Sequence, residues 1–146
     1  MDNVLQTPVR VDLSDGTPPI VMVDDEQLDY EIVKRFHRRS GLPNPLVHFP
    51  DGMTFVAHLE EVDKGLAPLP AVVLMDINMP RMDGFETVEA LRSLETFREV
   101  PVVMMLTSSD DLRDRERALA AGADGYLLKP YDPRRYLEFF VSLRVS

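Results

Sequence analysis

The stretch "VVLMDINMPRMDGFE", residues 72–86, runs four apolar residues into Asp76 and then breaks into a loop that contains Pro80 and Gly84. A continuous apolar run is typical of a strand that is buried on both faces, as in a parallel sheet. An aspartate at the end of such a strand loses its hydration, so its carboxylate must be paired with a cation or a hydrogen-bond donor, or must serve a chemical function. Proline and glycine are ordinary turn residues, and they shape the loop beside Asp76.

Short apolar runs alternate with longer amphipathic segments along the rest of the chain. The runs are "IVMV" (20–23), "LVHF" (46–49), "AVVLM" (71–75), "VVMML" (102–106) and "GYLLK" (125–129). Each is followed by apolar residues at helical spacing, such as Leu112, Leu119 and Ala120 after the fourth run. This order predicts parallel strands joined by right-handed crossovers. The fold class is therefore α/β, a doubly wound five-stranded parallel sheet flanked by five helices.

The length and the local composition predict one domain. A chain of 146 residues can bury one sizeable core. Residues 1–17 mix Thr, Pro, Asp, Ser and Gly with isolated valines, so we expect a flexible N-terminal tail there. Residues 18–146 form the expected domain.

Charge and composition exclude several classes of function. The formal net charge of −9 argues against a duplex-binding surface, because nucleic-acid affinity rests on cations that neutralise phosphates. The chain has no cysteine, which excludes disulfides and thiolate metal sites. It also has no apolar run long enough to cross a membrane and no basic start followed by an apolar stretch. We therefore expect a soluble, cytoplasmic protein that binds neither nucleic acid nor membrane.

Polar residues follow four of the five predicted strands at the point where each strand ends. In doubly wound sheets ligands bind beyond these carboxyl ends, so the residues should meet at one rim. They are Asp24 and Asp25 after the first strand, Asp76 after the third, Thr107 with Ser108 and Ser109 after the fourth, and Lys129 with Pro130 after the fifth.

The three carboxylates need a cation if they meet at this rim. At ion-pair distances each pair repels by roughly 4 kcal/mol at an effective dielectric near 20. Lys129 supplies one positive charge. The remaining negative charge and the all-oxygen ligands suit a hard divalent ion such as Mg²⁺.

Each residue also has an ordinary structural interpretation when it is taken alone. Asp25 is a good N-cap for the first helix, Asp76 and Thr107 are good caps for the segments that follow them, and Lys129 is a normal solvated strand end. All of them occur in order on one rim, however, and this combination favours a functional set. The three histidines share no ligand spacing, and they are assigned no role.

These residues resemble the receiver domain of bacterial two-component response regulators. The resemblance runs from about residue 19 to residue 145 and includes "VDDE", "LMDINMPRMDGFE", "PVVMMLTSS" and "AAGADGYLLKP" in the family's order. It implies that Asp76 is the phospho-acceptor, that Asp25 is a direct Mg²⁺ ligand and that Asp24 acts mainly through water. It further implies the roles of four other residues: a backbone carbonyl ligand at Asn78, a switch hydroxyl at Thr107, a switch aromatic at Tyr126 and a phosphate-contacting Lys129.

The resemblance also implies finer features. A cis bond is expected before Pro130. Asn78 and Ser109 are expected to tune how long the phosphoryl group lasts. From the residues themselves, Asp29 either faces a kinase or, as favoured here, complements the positive end of the first helix.

The expected function is signalling by a stand-alone receiver. Only 17 residues follow Lys129, enough for a fifth helix, so no output domain is expected. Such a receiver takes a phosphoryl group from a sensor histidine kinase or a phosphotransfer protein, and it is not classed as an enzyme. Two alternatives stay open: a haloacid dehalogenase-type aspartyl phosphohydrolase, whose D-x-D-x-T motif "VDDEQ" does not fit, and a phosphorylation-independent adaptor.

The surface made by the fourth helix, the fifth strand and the fifth helix is expected to bind the partner or a second copy of the chain. Arginines and aromatic residues are enriched at protein interfaces. An alternative for two of the aromatic residues, Tyr136 and Phe140, is burial in the core. The residues expected on this surface are Arg113, Arg117, Tyr131, Arg134, Arg135, Tyr136 and Phe140.

Overall fold

The computed structural model describes residues 18–108 and 110–143. The expected tail at 1–17, the lifetime-tuning position Ser109 and the last three residues of the expected domain lie outside these ranges. Strands and helices alternate along the described chain, which confirms the predicted fold class. They are β1 (Ile20–Val23), α1 (Gln27–Ser40), β2 (Leu46–Phe49), α2 (Gly52–Asp63), β3 (Val72–Asp76), α3 (Gly84–Ser93), β4 (Val102–Thr107), α4 (Leu112–Ala121), β5 (Gly125–Leu128) and α5 (Arg135–Leu143), with a 3₁₀ turn at Glu95–Phe97.

The five strands form one parallel sheet in the order β2-β1-β3-β4-β5. The central strands β1, β3 and β4 are almost completely buried, as their continuous apolar runs predict. The edge strands β2 and β5 keep several residues partly exposed, so the expectation that every run is buried on both faces is wrong for them. An edge strand has only one neighbouring strand and is less covered by helices.

Alternate residues of each central strand enter two separate core layers. Val21, Met75 and Met105 pack with α2, α3 and α4 on one face of the sheet. Met22 and Leu74 pack with α1 and α5 on the other face. This alternation follows from the two-residue period of a strand. The result is a three-layer sandwich with both faces of the sheet covered.

The helix α4 packs through different residues from those that its sequence pattern predicts. Leu112 and Leu119 are 65% and 50% exposed, whereas Ala118 and Ala121 are buried. Neighbouring positions lie about 100° apart around a helix, so the alanine face and the leucine face are distinct. The expectation of a leucine-lined core face is therefore wrong, and α4 presents two leucines to the solvent. The helix ends at Gly122, which has a left-handed φ of 116°.

None of the helices within the two described ranges combines the length and the apolar character that a membrane span requires.

Gly84, the first residue of α3, lies directly against the end of β3. A Cβ atom at this position would be 2.8 Å from the Cα of Ile77 and would also overlap the backbone carbonyl of Asp76. The Gly84 amide donates a 2.8 Å hydrogen bond to the Ile77 carbonyl. Asp83, the N-cap of α3, accepts from the amide of Glu86 and completes a capping box. The loop after Asp76 therefore closes tightly onto the strand that carries this aspartate.

The substitution Gly84→Ala should lower the free energy of unfolding by about 1–3 kcal/mol, because the added methyl group meets backbone atoms that cannot rotate away. Chemical denaturation of both proteins measures the difference. Ser93→Ala, at the exposed end of the same helix, is the control and should change little. A Gly84→Ala protein as stable as the parent would show that the loop can move aside.

Candidate functional site

The predicted site residues meet at the carboxyl ends of four neighbouring strands. Asp24 directly follows β1, and Asp76 is the last residue of the adjacent strand β3. Thr107 is the last residue of β4, one position beyond Leu106, which pairs in register with Asp76. Lys129 directly follows β5, and its amide donates a 2.7 Å hydrogen bond to the carbonyl of Thr107. The parallel register therefore brings these four side chains to one rim.

Three carboxylates form a compact cluster at this rim. Asp24, Asp25 and Asp76 each offer an oxygen within 4.8 Å of the others. Asp24 and Asp76 are buried, whereas Asp25 is exposed. The Asp24 carboxylate also accepts a 2.8 Å hydrogen bond from the amide of Glu26, which fixes its orientation. The cluster therefore has two buried carboxylates and one that faces the solvent.

The ammonium group of Lys129 lies among these acids. Its Nζ atom is 3.5 Å from Oδ2 of Asp24 and 3.4 Å from Oδ1 of Asp76. A third contact, to Oδ2 of Asp29, is the shortest at 2.7 Å. Only 19% of the Lys129 side chain is exposed. The interpretation of Lys129 as a solvated strand end is therefore wrong.

Burial and like charge make Asp76 a weak acid in this pocket. Desolvation raises its pKa to about 7, the negative charges of Asp24 and Asp25 act in the same direction, and Lys129 opposes them only in part. Burial also raises the pKa of Asp24, although the Glu26 amide and Lys129 counteract it. The metal-free cluster therefore stores unfavourable electrostatic energy at neutral pH.

The surroundings of Lys129 favour its charged form, whereas those of Asp76 disfavour its charged form. Burial alone lowers its pKa, but the hydrogen bond to Asp29 and the charges of Asp24 and Asp76 outweigh burial, so the pKa is raised overall. The ammonium therefore remains protonated throughout the physiological range.

The capping interpretations of Asp25 and Thr107 are also wrong. Glu26, and not Asp25, is the N-cap of α1, and it makes no side-chain cap hydrogen bond. Asp111, and not Thr107, caps α4. Neither Asp25 nor Thr107 is therefore needed to begin a helix.

The two predicted switch residues lie on the adjacent strands β4 and β5. Thr107 is completely buried. Tyr126, on β5, is partly buried and packs against the core layer beneath α2, α3 and α4. Asn78 lies two residues beyond Asp76 in the exposed part of the β3–α3 loop.

In this region one prediction is wrong, and one alternative that the sequence left open is decided. The expected cis bond at Lys129–Pro130 is wrong, since the cis peptide within the described ranges is Val100–Pro101. The long lysine side chain reaches the acids from a trans peptide. Tyr136 and Phe140 are buried in the core layer beneath α1, which confirms the core alternative for both residues.

Two contacts with the site residues were not predicted from the sequence. Asp29, on the first turn of α1, binds Lys129 in addition to its place near the helix N-terminus. His48, on β2, lies with Nε2 2.8 Å from the backbone carbonyl of Asp24. Its ring stacks on Tyr30 with a 4.1 Å separation of ring centroids. The spacing of Asp29 four residues after Asp25 was the available signal for the first contact, whereas His48 had none.

The chain is similar to response regulators in sequence and in structure. The response regulator receiver domain family matches residues 20–140. The probable methanogenesis regulatory protein FilR2 of Methanothrix harundinacea is 31% identical over 76% of this chain and 71% of its own length. The regulatory protein VanRc of Enterococcus gallinarum is 32% identical over 78% of this chain, and the match spans only 44% of that relative. This chain thus covers less than half of the longer regulator.

A solved structure with the same fold is that of the response regulator RPA3017, which acts in red light signaling of R. palustris. It is 35% identical, superposes with a TM-score of 0.74, and the match covers 86% of this chain and 90% of that one.

The raised pKa of Asp76 predicts a stability that depends on pH in the metal-free protein. Between its unfolded pKa of 3.8 and its folded pKa of about 7, the folded state retains a proton that the unfolded state has released. The stabilisation is therefore present at low pH and is lost as the pH rises, by roughly 4 kcal/mol in total. Asp76→Asn resembles the protonated form and should become the more stable protein as the pH rises.

Chemical denaturation of the parent and of Asp76→Asn, with a metal chelator present, checks this prediction between about pH 4 and pH 8. Taking the difference between the two proteins cancels the titration of surface acids. A difference that does not change with pH would contradict the electrostatic account of the pocket.

Proposed function

Because the chain belongs to the response regulator receiver domain family, we propose that it accepts a phosphoryl group on Asp76 and signals through phosphorylation-dependent protein binding. The observation that carries this proposal is the position of Asp76. It is the buried acid at the end of β3, and it lies between a carboxylate pair and a lysine.

The proposed reaction is an in-line displacement at phosphorus. A carboxylate oxygen of Asp76 attacks the phosphorus of a phosphohistidine, and a new phosphorus–oxygen bond forms while the phosphorus–nitrogen bond breaks. The bonding electron pair stays with the imidazole of the donor. Rigid placement of Asp76 by β3 and by the loop closed at Gly84 favours this geometry, because little motion remains to be restricted.

The donor set fits Mg²⁺. Asp24, Asp25 and Asp76 provide only oxygen ligands, and their mutual repulsion in the metal-free pocket favours a divalent cation. Asp25 and Asp76 would bind the ion directly, the backbone carbonyl of Asn78 would complete the protein ligands, and Asp24 would act mainly through water. When bound, Mg²⁺ supplies positive charge that offsets the charge of the phosphoryl oxygens.

Lys129 contributes the other positive charge. Its ammonium already lies 3.4 Å from Asp76, so it needs only a short movement to donate to an oxygen of the phosphoryl group. The proton stays on nitrogen throughout, because the surrounding acids favour the charged form of Lys129.

We propose that the signal leaves the pocket through Thr107 and Tyr126. Phosphorylation adds a charge of about −1.5 to −2 and strong acceptor oxygens beside the end of β4. The Thr107 hydroxyl would move to donate to one of these oxygens, and Tyr126 would turn further inward to fill the space. Tyr126 is partly buried in the resting protein, so this movement is short.

The proposed output surface is the face made by α4, β5 and α5, the α4-β5-α5 face. Four of the arginines and aromatics expected there are exposed: Arg113, Arg117, Tyr131 and Arg134. The exposed leucines Leu112 and Leu119 add apolar area that the sequence pattern had assigned to the core. This mixture supports binding of a protein, either a downstream partner or a second copy in a homodimer. The net charge of −9 disfavours nucleic acid as the ligand.

The proposed phosphodonor is a sensor histidine kinase or a histidine phosphotransfer protein. Since RPA3017 acts in red light signaling, a light-sensing kinase is the first donor to test. The haloacid dehalogenase alternative is disfavoured because the chain belongs to the receiver domain family, and because the acceptor proposed here lies at the end of β3 and not after β1. The adaptor alternative is separated from the proposal by the labelling experiment below.

Asp76→Asn should abolish labelling by a small phosphodonor such as acetyl phosphate in the presence of Mg²⁺. The amide resembles the carboxylate in shape but is a far weaker nucleophile. Intact-mass spectrometry measures a stoichiometric adduct in the parent, and Asp63→Asn, a distant exposed acid, is the control that should label normally. Labelling at another residue would refute the acceptor assignment, steady phosphate release without an adduct would support a hydrolase, and no reaction would support an adaptor.

Thr107→Ala and Tyr126→Ala should each weaken association that depends on beryllofluoride and Mg²⁺, a phosphoryl mimic, by at least about fivefold. Both substitutions break the proposed link between the pocket and the α4-β5-α5 face. Analytical ultracentrifugation measures self-association, and binding to the cognate kinase serves if the protein stays monomeric. Thr96→Ala, which removes a hydroxyl far from the pocket, is the control. An undiminished response in both variants would refute the coupling.

A further inference from the structure

The closest partner of Lys129 is an acid that does not belong to the strand ends. Asp29 lies on the first turn of α1, and its Oδ2 atom accepts a 2.7 Å hydrogen bond from Nζ. The contacts of the same ammonium with Asp24 and Asp76 are longer, at 3.5 and 3.4 Å. Charge-assisted N–H···O bonds are strongest near 2.7–2.9 Å. In the resting protein the lysine is therefore held mainly by α1.

This contact competes with the task proposed for Lys129. The ammonium has three protons, and at least one of them must point at a phosphoryl oxygen on Asp76 when transfer occurs. If the ammonium group turns towards that oxygen, the N–H that now bonds to Asp29 must break this hydrogen bond or share it. Asp29 also adds a further negative charge beside a pocket that must admit an anionic group.

We propose that Asp29 is a positioning residue that holds Lys129 in the resting site and slows phosphoryl transfer to Asp76 by competing for its ammonium. This inference rests on the proposed function. In the transfer step the phosphorus–oxygen bond to Asp76 forms and the bond to the leaving group breaks with its electron pair. Lys129 keeps all its protons and only exchanges one acceptor, Asp29, for another, a phosphoryl oxygen.

The exposure of the two side chains sets the size of the effect. The Asp29 side chain is 34% exposed, so water can solvate its carboxylate after the lysine leaves. The Lys129 side chain is 19% exposed and stays near the buried acids. Opening the pair therefore costs what a partly exposed ion pair is worth, which corresponds to about two- to fivefold in rate. Asp29 should tune the reaction and not control whether it occurs.

A second role for Asp29 must be separated from this one. As an acid in the first turn of α1, it also complements the positive end of the helix. Glu31 offers a matched control, because it carries the same charge on the same helix but is bonded to Gln27 and not to Lys129. Loss of the helix-terminus interaction would change the stability of α1 but would not release Lys129. Only competition for Lys129 therefore predicts faster labelling of the Asp29 variants.

The test compares Asp29→Asn, Asp29→Ala, Asp29→Glu and Glu31→Gln in the full chain. Acetyl phosphate with Mg²⁺ labels Asp76, and the initial rate is measured by mass spectrometry. Asp29→Asn and Asp29→Ala should label about two- to fivefold faster than the parent. Glu31→Gln should label at the parental rate, and Asp29→Glu, which keeps the charge, should return towards that rate.

A spectroscopic readout separates positioning from a general effect on structure. In the parent, the ammonium protons of Lys129 should exchange slowly with water in ¹⁵N-lysine NMR spectra, because Asp29 binds them. This protection should be lost in Asp29→Ala and kept in Glu31→Gln. With beryllofluoride and Mg²⁺ the parent and Asp29→Ala should give the same Lys129 signal, because the lysine then binds the mimic in both.

Several outcomes would overturn the inference. Unchanged or slower labelling of the two neutral variants would do so, as would equal acceleration by Glu31→Gln. If these results appear while Asp76→Asn still abolishes labelling, the proposed function stands and only the role of Asp29 is refuted. If the parent itself is not labelled at Asp76, the proposed function and this inference fall together.

Discussion

Electrostatic repulsion among Asp24, Asp25 and Asp76 is the constraint on which the rest of this site depends. Three carboxylates within 4.8 Å of one another, two of them buried, are unstable unless positive charge is close. Lys129 supplies part of it, and the pKa of Asp76 is still raised, first by burial and then by the charges of Asp24 and Asp25. The excess of negative charge and the all-oxygen donor set suit a hard divalent cation.

The parallel sheet is what makes this arrangement rigid. β1, β3, β4 and β5 lie side by side, so their carboxyl ends can present side chains only to one rim. The hydrogen bond from the Gly84 amide to the Ile77 carbonyl holds the β3–α3 loop against the end of β3. Two further contacts hold the site in place: His48 contacts the backbone carbonyl of Asp24, and Asp29 binds Lys129. The geometry of the site and the packing of the core are thus set by the same backbone.

The exposed face of α4 differs from the one that its apolar periodicity suggests. α4 buries alanines and exposes Leu112 and Leu119, whereas α5 buries Tyr136 and Phe140. A helix pattern reports which residues are apolar, but the contacts made by its neighbours decide which of two possible faces is covered. In α4 the alanine face is covered, and the leucine face remains exposed.

The sequence by itself determined the fold class, the bounds of the strands to within one residue, and the set of residues at the rim. Apolar runs that end in a polar residue can be recognised from the order of residues along the chain. In a parallel α/β fold the ends of these runs lie at one edge of the sheet, so the positions of the polar residues follow from that order. Tertiary structure alone decided the partners of Lys129, the burial of Tyr136 and the trans bond before Pro130. Asp29 and Lys129 are 100 residues apart, and their 2.7 Å contact depends on how α1 packs beside the carboxyl end of the sheet. Such distances are fixed by packing between elements, which no local pattern of residues encodes.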